Sequence, residues 1–416
     1  MTLAADFKEF LTAQLASKPA KKLGVAVSGG SDSTALLHLL ADWSSQSDCT
    51  IHAVTVDHGV RPESAMEAEM VARQCQALGI SHDILNWTNR KEVGNFQDQA
   101  RQARYRLIGD WASVREIGTV ALGHTQDDQA ETVLMRLLRG SGVDGLSAIP
   151  LRRCVGDVCW IRPVLDVARE TLREYLRAKA IGWSDDPSNL DPKYDRVKAR
   201  NLIRDFQSLG FSTGDFAATA GRMSEARQVL QQVTQGALKA ISKVEAGSVV
   251  VERKGLFDLP NETRRRVLAH ILRWISTSHY GPRHSSLVAL LSAINENTTS
   301  TLHGCLVTIK KDQVIFGREP AAVVEMVVKP SEIWDGRWRL KGPGMAGITI
   351  RATGDKGLKL YPNWRDTGLI RATVVSAPAV WKSQQLVAAP VAGLSNGWRA
   401  ELIHPENHLF TSVLSH

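Results

Sequence analysis

The sequence predicts an α/β fold built on a parallel sheet in its first half, and three observations carry that expectation. Short apolar runs of strand character alternate with amphipathic helical patterns up to about residue 208. The first run, Leu23 to Val27, breaks into Ser28-Gly29-Gly30-Ser31-Asp32-Ser33 and then into the helical pattern Thr34 to Leu40. A later run, Thr119 to Gly123, opens into His124-Thr125-Gln126-Asp127-Asp128-Gln129-Ala130-Glu131. Two polar segments at strand ends belong in the crevice where open parallel sheets bind their ligands.

The elements follow in chain order. Strands are expected at Leu23 to Val27, Ile51 to Val56, His82 to Trp87 and Thr119 to Gly123, with helices at Glu63 to Leu78 and Phe96 to Arg115 between them. This is a Rossmann-like order. From about 211 to 300 the texture becomes helical, as in Gly221 to Ile241 and Glu262 to Ile275, with short strands at Val249 to Glu252 and Cys305 to Phe316. The last stretch is rich in Gly, β-branched residues and tryptophan, namely Trp334, Trp338, Trp364, Trp381 and Trp398, and reads as a small α+β or β-rich module. The domains expected are 1–208, a mostly helical 209–320, and 321–416, with the last boundary near Pro320.

Composition bounds the function. A chain of 416 residues with 43% hydrophobic residues can bury cores for two or three domains. No apolar stretch approaches the ~18 residues of a membrane helix, and Asp6, Lys8 and Glu9 interrupt the place of a signal peptide, so a cytoplasmic location without membrane contact is expected. Cys49, Cys75, Cys154, Cys159 and Cys305 are odd in number and scattered, which suits incidental thiols in a reducing compartment. The formal charge of +8 favours a polyanionic partner. Between Arg253 and Arg283 stand seven basic residues, including Arg264-Arg265-Arg266, against Asp258 and Glu262; this run reads either as a solvated helix face or as a polyanion surface.

Ser28 to Ser33 has the chemistry of a phosphate cradle: glycines admit a phosphate to the backbone, hydroxyls add donors, and a helix N-terminus adds positive potential. The lysine and spacing of a Walker A loop are missing. At His124 to Glu131, Thr125 can cap a helix whose first-turn acids complement its dipole. A histidine with carboxylates at i, i+3, i+4 and i+7 exceeds what capping requires, and acids beside a phosphate loop suit Mg2+ bridging protein and polyphosphate. His124 is a candidate proton acceptor or phosphate partner. Arg101 and Arg104, one helical turn apart, and Arg139, before a glycine-rich turn, are candidates for phosphate contact. Asp186-Pro187-Ser188-Asn189 leads through Asp191 and Tyr194 to a basic pattern with Arg196 and Arg200, either a surface helix or a track for RNA backbone.

Serine-glycine-glycine-x-aspartate-serine after the first strand resembles the pyrophosphate loop of the ATP-pyrophosphatase superfamily. Taken with Asp57-His58-Gly59-Val60-Arg61, Ala100 to Tyr105, Gly123 to Glu131, Leu137 to Leu146, Arg162-Pro163 and Asp186 to Asn189, the first 205 residues resemble the bacterial tRNA(Ile)-lysidine synthetases. Asp57 stands where that family usually has a histidine, so no catalytic role goes to it. The resemblance implies an ATP-dependent ligase that adenylates the C2 oxygen of the wobble cytidine of a CAU-anticodon isoleucine tRNA and then lets free lysine displace AMP, leaving lysidine. Its partners would be that tRNA and free lysine; a homodimer is compatible with the sequence. The residues then divide as follows. Ser28, Gly29, Gly30, Ser31, Asp32 and Ser33 hold ATP, with Arg101 and Arg139; Asp32, Asp127 and Asp128 hold Mg2+; Asp32, Arg104, His124, Asp128 and Glu131 form the catalytic set, Asp128 and Glu131 receiving the substrate amine.

Overall fold

A computed structural model describes residues 3–16, 20–57, 63–87, 96–185, 193, 195–278 and 280–415. The segments 58–61 and 186–189, two of the motifs above, and Asp191 and Tyr194 lie outside the described residues. The chain divides into two compact units, Met1–Arg227 and Gln228–His416.

The first unit runs α1 (Leu3–Ala16), β1 (Lys22–Ala26), α2 (Ser31–Ser44), β2 (Thr50–Asp57), α3 (Glu63–Ala77), β3 (Ser81–Asn86), α4 (Phe96–Val114), β4 (Thr119–Leu122), α5 (Gln126–Leu137), α6 (Val143–Leu146), β5 (Arg152–Val155), β6 (Val158–Ile161), α7 (Arg169–Ala178) and α8 (Asp195–Ser208). Its sheet has the order β3-β2-β1-β4-β6-β5. All pairings are parallel except that of the edge strand β5 with β6. Strand β1 is central, with Leu23 and Val25 buried, which is why it reads as one continuous apolar run. Gly24 lets Trp111 and Val120 close on it, a Cβ there lying 3.1 Å from each. Helix α2 is apolar nearly all round because Leu36, Leu37, Leu39 and Leu40 are enclosed between the sheet and neighbouring helices.

The β5–β6 hairpin corrects one expectation. Its register sets Cys154 directly opposite Cys159, and the two are joined by a disulfide. Cys49, Cys75 and Cys305 are free and buried. Five scattered cysteines suggest incidental thiols in the sequence; antiparallel pairing across a tight turn brings two of them into bonding range.

Helix α9 (Thr213–Ile241) contains the division between the units. The second unit continues with β7 (Ser242–Glu245), β8 (Ser248–Glu252), α10 (Arg253–Asp258), α11 (Asn261–Ser276), α12 (His284–Asn295), β9 (Ser300–Leu302), β10 (Cys305–Lys310), β11 (Gln313–Arg318) and α13 (Pro320–Val323). Its helices cover a five-stranded antiparallel sheet of order β7-β8-β11-β10-β9. Beyond Pro320, which starts α13, come β12 (Trp338–Lys341), β13 (Ile348–Ala352), α14 (Gly354–Leu360), α15 (Arg371–Val375), β14 (Pro378–Lys382), β15 (Gln385–Ala388), β16 (Arg399–Leu402) and α16 (His408–Thr411). Strand β12 pairs with β16, and β13-β14-β15 form a small sheet. All five tryptophans of this stretch are buried in the two apolar clusters that fill it.

Candidate active site

The Ser28 to Ser33 turn stands at the C-terminal end of β1 and leads into α2. Gly29 has φ of +86°, a left-handed conformation that suits glycine, and Gly30 is the N-cap residue of α2. The Ser33 hydroxyl holds the turn closed, accepting from Ser28 N–H at 3.1 Å and donating to the Gly30 carbonyl at 3.1 Å. Ser184 N–H ties the Gly29 carbonyl at 2.9 Å. Strand β4 is followed at once by Gly123, whose missing side chain allows the loop to pass: a Cβ there would lie 3.0 Å from both N and Cα of Ser33. The next strand end therefore fixes the cradle from behind.

Helix α5 begins with a capping box. Asp128 accepts hydrogen bonds from Thr125 N–H at 2.9 Å and Thr125 Oγ1 at 3.1 Å. Asp127 turns outward to the start of α7, accepting the backbone N–H of Arg169 at 2.8 Å. Glu131, one turn beyond Asp128, is 1% exposed, with Oε1 receiving Arg200 Nε at 2.6 Å. Its Oε2 has no hydrogen-bond partner among the described residues, with Arg196 Nε 4.0 Å away.

Arg169 joins these groups. Its Nε donates to Asp32 Oδ2 at 2.9 Å, while its two terminal nitrogens lie 3.5 Å from Asp128 Oδ1 and 3.6 Å from Glu131 Oε1. One guanidinium thus spans the phosphate loop and the acidic helix. A turn further along α7, Arg173 Nε reaches Ser31 Oγ at 3.4 Å. Neither arginine stood out in the sequence. The available signal was Arg169, Arg173 and Arg177 at four-residue spacing on one helix face.

The three carboxylates differ in charge preference. Burial pushes Asp32 above the ordinary carboxylate range, aided by Asp128 and opposed by Arg169. Glu131 is likewise raised by burial and by Asp128, against the pull of Arg200 and Arg169. Burial also opposes ionised Asp128, but Arg169, Arg196 and the Thr125 N–H hold it below the usual range. His124 is pushed down to about 3 by burial, against the pull of Asp128 and with Arg162, Arg101 and Arg196 adding to the effect, so near pH 7 it is a neutral ring.

The arginines separate into two groups. Arg101 and Arg196 are exposed and close enough to His124 to lower it, and Arg104 senses both. Arg101 also lies over the Tyr105 ring at 5.5 Å, and the buried Arg162 donates to the Pro150 carbonyl at 2.8 Å. Arg139, just past the C-terminal end of α5, pairs with Asp195 at 3.2 Å, the residue before the Arg196 that stands 4.0 Å from Glu131. The structure therefore brings Asp32, His124, Asp128, Glu131 and the Arg101/Arg104 pair toward the C-terminal ends of the central strands β1 and β4, with Arg139 beyond the other end of α5. Among the described residues, no group of three or more His, Cys, Asp or Glu side chains forms a metal-binding set. Mg2+ does not require one, since it commonly takes one or two carboxylates plus substrate phosphates. Asp32 and Asp128, facing a shared cation beside the phosphate cradle, fit that mode.

A serine-rich anion cradle on the central strand, backed by a second strand end carrying acids, defines an enzyme of the PP-loop class. The family model described as PP-loop domain matches residues 2–206. The chain is 45% identical to the tRNA(Ile)-lysidine synthase of Ruegeria pomeroyi over 99% of both chains. It is 33% identical to that of Wolbachia pipientis wMel, covering 89% of this chain and 88% of the relative, and 33% identical to that of Brucella anthropi, covering 95% and 91%. The chain belongs to the tRNA(Ile)-lysidine synthase family. Among the described residues, no helix is long and apolar enough to cross a membrane.

Proposed function

We propose that this ATP-dependent ligase joins free lysine to C2 of the wobble cytidine of the CAU-anticodon isoleucine tRNA, through a tRNA adenylated on the C2 oxygen, releasing pyrophosphate and then AMP. The observation that carries the reading is the Arg169 bridge, which puts the ATP loop and the amine-binding carboxylates within reach of one side chain. A ring carbonyl oxygen leaves poorly, adenylation makes it a good leaving group, and holding the reactants together is worth about 7–11 kcal/mol of barrier.

Each group has a task in this scheme. Ser28 to Ser33 cradle the polyphosphate, with Arg101 and Arg104 adding charge. Asp32 and Asp128 would hold Mg2+, with Asp127 beside them holding the Arg169 backbone N–H, and the ion would supply charge neutralisation at the polyphosphate. Asp128, the most readily ionised of the three acids, receives the lysine ammonium. Glu131, raised by burial, is the better base for the proton that lysine must lose before it attacks, since an unperturbed ammonium has a pKa of about 10.4. Residues 209–320 and 321–416 bind the tRNA, and the enzyme works in the cytoplasm.

Incubation with ATP, labelled lysine and a panel of tRNA transcripts tests the whole reading. Label should enter only the CAU isoleucine transcript. AMP formed with no label in any RNA would overturn it in favour of a small-molecule ligase.

A further inference from the structure

Arg169 is fixed at its backbone and loose at its tip. Its N–H is held by Asp127 at 2.8 Å and it is the first residue of α7, so only the side chain can swing. Of its three carboxylate partners, only Asp32 is hydrogen-bonded, at 2.9 Å; Asp128 and Glu131 are held by charge alone at 3.5 and 3.6 Å. The side chain is 19% exposed, enough to move without crossing the core. Beside it, Glu131 Oε2 is a buried acceptor with no hydrogen-bond donor among the described residues, Arg196 Nε standing 4.0 Å off, and a buried carboxylate oxygen left so is costly unless something arrives to fill it. A substrate ammonium brings three N–H donors.

The guanidinium occupies the ground that a substrate ammonium needs, because both are cations seeking Asp128 and Glu131. Polyphosphate on the Ser28 to Ser33 loop changes the balance. It carries more negative charge than Asp32 alone, and a guanidinium fork prefers bidentate phosphate oxygens. Arg173, already 3.4 Å from Ser31 Oγ, shows that the same face of α7 reaches that loop. We infer that Arg169 is a positioning residue that orders substrate binding: it covers Asp128 and Glu131 in the nucleotide-free enzyme and turns to the polyphosphate when ATP arrives, admitting lysine second. The inference rests on the reading of ATP and lysine as substrates given above. A purely structural staple would leave lysine affinity indifferent to nucleotide.

The test is calorimetric titration of the full-length enzyme with L-lysine, the CAU isoleucine transcript present throughout, with and without Mg2+ and α,β-methylene-ATP, which resists cleavage at the α–β bond. In the wild type the analogue should tighten lysine binding roughly 5- to 150-fold, the usual size of coupling between two ligands. In R169Q the affinity should be the same with and without the analogue, and in R169K the coupling should be smaller than in the wild type, since an ammonium lacks the fork. Equal lysine affinity in both states of the wild type, or full coupling in R169Q, overturns the ordering. No lysine binding by either protein in any state overturns the lysine reading itself and the inference with it. If R169Q does not fold, R169K decides alone: reduced coupling supports the proposal and unchanged coupling overturns it.

Discussion

Gly123 lies so close to Ser33 that a Cβ on it would stand 3.0 Å from the Ser33 backbone nitrogen and Cα. The neighbour is backbone at the start of α2, so it cannot step aside as a flexible side chain would. Gly123→Ala should therefore displace the phosphate cradle. Overpacking of this kind costs about 1–3 kcal/mol, and misplacing a reactant by about 1 Å can cost roughly 100-fold in rate. The expected result is a modestly lowered melting temperature with a 10- to 100-fold loss, on that same order, in kcat/KM for ATP, read as pyrophosphate release. An unchanged KM and kcat for ATP would show that the cradle does not depend on the end of β4.

Asp32 and Glu131 touch the same guanidinium but belong to different half-reactions in the proposed scheme. Asp32→Asn should abolish tRNA-stimulated pyrophosphate release. Glu131→Gln should leave pyrophosphate release standing while lysine incorporation falls about 100- to 10,000-fold, the usual worth of a general base. The pair is followed with labelled ATP and labelled lysine in parallel. Equal loss of both steps in Glu131→Gln would remove the base assignment.

The parts of the fold legible in the sequence are those written in contiguous residues. Strands β1, β2 and β4 read directly because buried parallel strands are apolar runs, and the loop after β1 reads because glycine and serine stand where the chain turns from strand into helix. Arg169 was not legible as a site residue because its partner Asp32 is 137 positions away, and no local pattern encodes that contact. The run Arg264-Arg265-Arg266, open in the sequence between a solvated helix face and a polyanion surface, is decided by contacts of the same kind. Arg264 folds back on α10, donating to the Leu256 carbonyl at 3.1 Å, to Leu259 at 2.8 Å and to Phe257, while Arg265 and Arg266 pair with Glu262. These contacts are those of a helix cap and of pairs along one helix face, the first of the two readings.

The Cys154–Cys159 disulfide makes a stoichiometric prediction. Cys49, Cys75 and Cys305 are buried, and burial pushes the first two up to about 11 and the third to about 12, so they should not react in the native protein. Denatured without reductant, the chain should present three thiols; after reduction, five. Closing so short a ring is worth roughly 2 kcal/mol in the chain-entropy account, and the C154S/C159S double variant should lose up to that amount in urea unfolding. Five reactive thiols in unreduced denatured protein would show that the hairpin is not bridged.

His270 gives the second unit a proton-linked stability. It is buried on α11, with Nε2 donating to the Leu409 carbonyl of α16 at 2.7 Å, and burial pushes it down to about 4, against an ordinary value of 6.5. Between those two values the unfolded chain binds a proton that the folded one refuses. The stabilisation is therefore complete above pH 6.5 and is lost as pH falls toward 4. Linkage puts this loss at about 2 kcal/mol on going from pH 8 to pH 5. His270→Gln keeps an N–H for Leu409 without a titrating ring. It should cost about 1 kcal/mol at pH 8 for the imperfect hydrogen bond, yet flatten the pH dependence of urea unfolding by about 2 kcal/mol over the same range. His124, lowered for the same reason in the other unit, titrates in both proteins and cancels in the difference. Parallel pH curves for wild type and variant would mean that the His270 ring reaches solvent before it reaches its proton, and that α16 is released from α11 first.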